Sequence, residues 1–115
     1  MKLRTGGEIS KSDDIHFVTF YDRDKSYGFS LTRMPLELEI EIMVADQSCY
    51  RPHDFKIILS KQKLIAQFPQ GSIAAIDGQD SYEIEFDLGK YQYEDLVRAV
   101  YKVFDGVVGP KVEVI

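Results

Sequence analysis

Residues 37–44 read Glu-Leu-Glu-Ile-Glu-Ile-Met-Val, with an acid and an apolar residue taking turns for six positions. Period two is the signature of a half-buried strand, because successive side chains leave a strand on opposite faces. A helix would set Glu39 on the far side from Glu37 and Glu41 and mix acids with apolar residues on both sides, so this stretch points to a sheet with one wet face and one dry face. Leu38, Ile40, Ile42 and Val44 are expected to face inward, leaving Glu37, Glu39 and Glu41 as an outward acidic row.

The same pattern returns elsewhere. Residues 15–21 are rich in strand-favouring types, residues 22–25 form a polar break, and residues 27–32 alternate again, which predicts a hairpin. Pro35 ends its second strand, since it lacks the amide hydrogen a ladder needs. Phe55, Ile57 and Leu59, then Leu64, Ala66 and Phe68 after the Lys61-Gln62 connection, predict a second hairpin. A sixth strand carries Tyr82, Ile84, Phe86 and Leu88 inward and Glu83, Glu85 and Asp87 outward. Between them, residues 72–76 suit one short helical turn capped by Ser72, and Asp77-Gly78 is a turn signal.

Only one segment has the helical period. Tyr93, Leu96, Val97, Val100, Tyr101, Val103 and Phe104 recur at steps of three and four, Glu94 stands four residues before Arg98, and Gly106 supplies a stop. The spacing predicts a helix over 91–105, with Tyr82, Tyr93 and Tyr101 at core positions. Residues 111–115, after Pro110, either add an edge strand or trail. The expected fold class is α+β: a mainly antiparallel sheet of about six strands with one C-terminal amphipathic helix packed on one face.

With 115 residues, 44% of them hydrophobic and 29% charged, the chain matches a single globular domain, residues 1–115. Its apolar runs are too short to cross a bilayer, and no apolar stretch follows the opening residues as a secretory signal requires, so the expected location is the cytoplasm. A formal charge of −5 argues against binding a nucleic-acid backbone or an anionic membrane, both of which select for clustered Lys and Arg. It suits a basic protein partner, whose approach complementary charge accelerates. A single cysteine, Cys49, forms no internal disulfide.

Signals for chemistry are sparse. Cys49 and His53 offer two ligands or a nucleophile–base pair, but zinc needs three or four donors, the other histidine is the distant His16, and nothing specifies an orienting group or oxyanion hole. The glycines lack the spacing of a phosphate loop. Carboxylates are plentiful, yet alternating glutamates on exposed strands do not provide the unequal environments that acid–base catalysis requires. Neither a catalytic residue nor a metal or other cofactor is assigned. The acidic rows are either a solvated face that discourages edge pairing or a recognition surface. As a recognition surface the candidates are Glu37, Glu39, Glu41, Glu83, Glu85 and Asp87, with Tyr50 and Tyr91 as aromatic contacts outside the core pattern. The two acidic rows are expected to share the sheet, separated by a strand bearing Lys56 or Lys63, because like charges directly opposite destabilise a ladder.

The succession YGFSLTR, an acidic alternating strand closing on ADQS, DFKIILSKQKLIAQF, SIAAIDG, YEIEFDL and LVRAVYKVFDG resembles the tenth immunity-protein family of bacterial polymorphic-toxin systems over roughly residues 15–106. The resemblance implies a non-enzymatic protein that binds and neutralises a cognate toxin domain in the producing cell, and it transfers no functional residue. Residues 1–14 and 107–115 lie outside it and are expected to be peripheral. Many such toxins are basic nucleases, which gives the negative face a purpose. The rivals are a subunit associating through a sheet edge, including a homodimer, and a small enzyme using Cys49 or a carboxylate pair.

Overall fold

The computed structural model describes residues 1–5, 9–12, 16–45, 48–69 and 80–115. Among them are ten strands and one helix. In chain order these are β1 (Lys2–Thr5), β2 (Ile9–Ser12), β3 (His16–Asp22), β4 (Tyr27–Arg33), β5 (Glu41–Val44), β6 (Ser48–Tyr50), β7 (Lys56–Leu59), β8 (Lys63–Gln67), β9 (Ser81–Phe86), α1 (Lys90–Phe104) and β10 (Lys111–Val114). The α+β class, the antiparallel majority and the single helix near the C-terminus agree with the sequence pattern.

The strands form two sheets rather than one. β2-β3-β4-β5-β6 is an antiparallel meander in which each strand pairs with its chain neighbour. The other sheet runs β1-β9-β8-β7-β10; its three central strands are antiparallel, while both edge strands, β1 and β10, join in parallel. Alternation gives each sheet one apolar face, and the two apolar faces meet. Phe20 stacks on Phe86 at 6.3 Å, Phe29 lies 5.0 Å from Tyr82, and the buried hydroxyls of Tyr27 and Tyr82 are hydrogen-bonded at 3.0 Å. The last contact satisfies two polar groups that would otherwise be costly in the core.

The helix packs on β3, β4 and β10 through Leu96, Val100, Val103 and Phe104, and Phe104 meets Phe55 at 5.8 Å. Gln92 accepts a hydrogen bond from the Gly89 N–H at its start, and Gly106, with φ of +77°, turns the chain out at its end. Arg98 pairs with Asp95. No helix among the described residues is long and apolar enough to cross a membrane.

Several expectations are corrected. Residues 37–40 are not in a ladder; β5 begins at Glu41, and Leu38 points into solvent instead of the core. The cause is local. Pro35 ends β4, and the turn that follows places Leu36 in a left-handed conformation with φ of +69°, so the strand phase restarts only at Ile40. Tyr101 is half exposed, facing away from the packed side of α1. The two chain ends, expected to be peripheral, both enter the sheets: β1 and β10 are the edge strands of the β1-β9-β8-β7-β10 sheet, where Leu3 and Thr5 are buried, and β2 is an edge of the meander. The predicted helical turn at 72–76 and the Asp77-Gly78 turn lie outside the described residues.

Candidate functional site

The β4–β5 connection begins at Arg33, the last residue of β4 and one of the few buried charged side chains. Its guanidinium lies at the end of α1, where backbone carbonyls lack helical partners and the helix dipole is negative. Nε donates to the Val103 carbonyl at 2.9 Å, Nη2 to Lys102 at 2.8 Å, and Nη1 to Glu37 at 3.2 Å. One side chain thus bonds the helix end to the connection. The turn is closed by the Glu37 N–H donating to the Met34 carbonyl at 3.1 Å.

Beyond the turn, the three glutamates of the acidic row converge on Arg51. Its Nη1 lies 3.6 Å from Glu37 and 3.9 Å from Glu39, and its Nε 3.4 Å from Glu41. The register of β5 and β6 explains the meeting: Ile42 opposes Tyr50, which sets Arg51 alongside Glu41. Three carboxylates share one guanidinium, an excess of two negative charges on a partly exposed surface. Arg51 escaped the sequence analysis because β6 is only three residues long; the signal available was a lone cation a few residues beyond an acidic strand.

The second acidic row has a different environment. Glu83 lies between Lys63 at 2.9 Å and Lys2 at 3.7 Å, and Glu85 lies 3.2 Å from Arg4. The ladders set this up: Lys2 opposes Glu83, Arg4 opposes Glu85, and Lys63, opposite Glu85 on the other side, reaches diagonally to Glu83. The Lys63 hydrogen bond and charge hold the Glu83 carboxyl below its usual range, and Glu83 raises Lys63 in return. A lysine-bearing strand therefore does border this row, as expected of Lys63. The rows do not share a sheet, however: Glu41 belongs to the meander, Glu83 and Glu85 to the other sheet. Asp87 is exposed just past the end of β9.

The aromatic candidates separate likewise. Tyr50 is partly buried against the core on β6, next in sequence to Arg51. Tyr91 is exposed on the first turn of α1, about 18 Å along the helix axis from Val103. Cys49 is exposed on β6, His53 is exposed in the loop beyond it, and His16 begins β3. Among the described residues no three His, Cys, Asp or Glu side chains converge as a metal centre. The structure thus brings together Glu37, Glu39 and Glu41 with Arg51 and Tyr50 nearby, and separates them from Glu83, Glu85 and Tyr91. No protein-family model, curated protein or solved structure matches this chain.

Proposed function

We propose that the chain is a non-enzymatic immunity protein that acts in the cytoplasm of the producing cell, binding and neutralising a basic toxin domain through the Glu37–Glu39–Glu41 surface. Two supports converge on this reading. The order of sequence segments resembles an immunity family, and one acidic row carries uncompensated charge where the other is matched by Lys2, Arg4 and Lys63. The carrying observation is the three-to-one ratio of carboxylates to guanidinium around Arg51. An excess of charge at a rim acts chiefly on the association rate and fades as salt screens it beyond about 10 Å at 0.1 M.

The test uses the toxin domain encoded beside this chain's gene. Co-expression should restore growth to cells making the toxin, and the two purified proteins should form a complex. Replacing Glu37, Glu39 and Glu41 together with Gln should slow association at low salt and change it little at high salt. Arg51→Gln should act in the opposite direction, speeding association by removing the guanidinium that faces all three carboxylates. Absence of both protection and complex sinks the proposal; wild-type association of the triple variant at every salt concentration removes the acidic row from it.

A further inference from the structure

Met34, Leu36 and Leu38 are all exposed, Leu36 fully and Leu38 to 65%, within five residues of one turn. A single exposed leucine is ordinary, but three exposed apolar side chains at alternate positions of one constrained turn are not. The left-handed backbone of Leu36 is unfavourable for a residue with a branched apolar side chain and would suit Gly or Asn better. That conformation is held by its surroundings. Arg33 bonds the turn to the carbonyls of Lys102 and Val103, and the Leu38 side chain rests beside Gly106 at the helix end. An anchored turn has little entropy left to lose on binding, which favours a preformed contact.

The flanking charge selects the occupant. Glu37 and Glu39 alternate with the two leucines, and Arg51 offsets only part of their charge. An anionic bilayer is repelled by those carboxylates, and a second copy of a chain with net charge −5 meets like charge. The complementary surface is an apolar pocket rimmed by Lys and Arg. We infer that Leu36 is the anchor of the interface, seated in an apolar pocket of the basic toxin domain with Glu37 and Glu39 against the pocket's cationic rim. This rests on the immunity reading above and divides the labour within it: the carboxylates govern arrival, the leucine governs departure.

Leu36→Asn separates the two roles, because Asn accepts the left-handed backbone while removing the apolar tip. Binding kinetics are measured with the purified toxin domain, alongside the denaturation midpoint and sedimentation of each variant alone. Leu36→Asn should keep or raise the midpoint, leave association within about twofold, and speed dissociation by roughly tenfold or more. Unchanged dissociation in a complex that wild type does form overturns the anchor while sparing the immunity reading. A toxin domain that wild type does not bind overturns both. A wild-type dimer that Leu36→Asn converts to monomer also overturns the inference, since the exposed turn then serves a second copy.

Discussion

Asp22 and Arg33 occupy opposite ends of the β3–β4 ladder, both buried and both satisfied by backbone groups. Asp22 accepts hydrogen bonds from the N–H groups of Arg4 at 2.9 Å and Lys25 at 3.0 Å, tying β1 to the hairpin turn. These two donors, with smaller help from the Lys25 charge, hold its carboxyl below the ordinary 3.8, although burial opposes them. Because the folded-state value is the depressed one, this contribution to stability is present above the unfolded value and is lost as pH falls through the folded one. Asp22→Ala leaves both donors without their acceptor and should cost about 1–3 kcal/mol near neutral pH. Urea unfolding of the two proteins should show the gap narrowing at acid pH, as wild type loses the same contribution. A gap independent of pH would mean that the carboxylate charge is not what holds the turn.

At the scale of elements, the link from α1 to β10 is as constrained as the helix itself. Gly109 has φ of +109°, and a Cβ there would drive into the His53 carbonyl oxygen, a backbone atom that cannot rotate aside. The close approach holds the α1–β10 link against the loop after β6, the region that also carries Arg51. Gly89, before the helix, has ordinary backbone and would place a Cβ 3.7 Å from the movable Gln92 side chain. Gly109→Ala should therefore lower the thermal midpoint much more than Gly89→Ala. Equal midpoints would show that the loop yields easily and that the link does not position it.

For the molecule as a whole, completion of the β1-β9-β8-β7-β10 sheet depends on both ends of the described chain. β1 pairs with β9 some eighty positions later, and β10 returns to pair with β7. Leu3, at 3% exposure, joins the same core as Ile84 and Phe86. Leu3→Ala should cost about 2–4 kcal/mol, the range for truncating a buried leucine. A denaturation curve superimposable on wild type would return residues 1–5 to the periphery. The net charge of −5 likewise gains meaning from placement, because the β1-β9-β8-β7-β10 sheet sets Lys2, Arg4 and Lys63 beside Glu83 and Glu85 while the cluster at the start of β5 keeps an excess of carboxylate. Exposed pairs of this kind contribute little to stability and mainly cancel the field that the acidic residues would project.

Alternation and helical spacing were enough to locate β3, β4, β7, β8, β9 and α1, because each carries its apolar period within its own residues and buries it whatever lies opposite. The same period gave the inward facing of Ile40, Ile42, Ile84 and Leu96. β1, β2 and β6 were not legible: each is three or four residues long with no neighbouring run of alternation of the kind that Phe55 adds ahead of the equally short β7, so each owes its existence to its partner strand. Nor was the division into two sheets, since period two says which way a side chain points and nothing about which backbone is alongside. Leu38 shows the limit from the other direction: it continues the alternation of residues 37–44 faithfully, yet Pro35 and the Arg33-bound turn displace its segment from the ladder. The charge of the candidate surface was readable as three glutamates, but its partial offset by Arg51 depended on the β5–β6 register, and the matching of Glu83 and Glu85 depended in part on a strand from the far end of the chain. Local periodicity is a property of neighbours along the chain, whereas compensation of charge and exposure of a turn are set by neighbours in space.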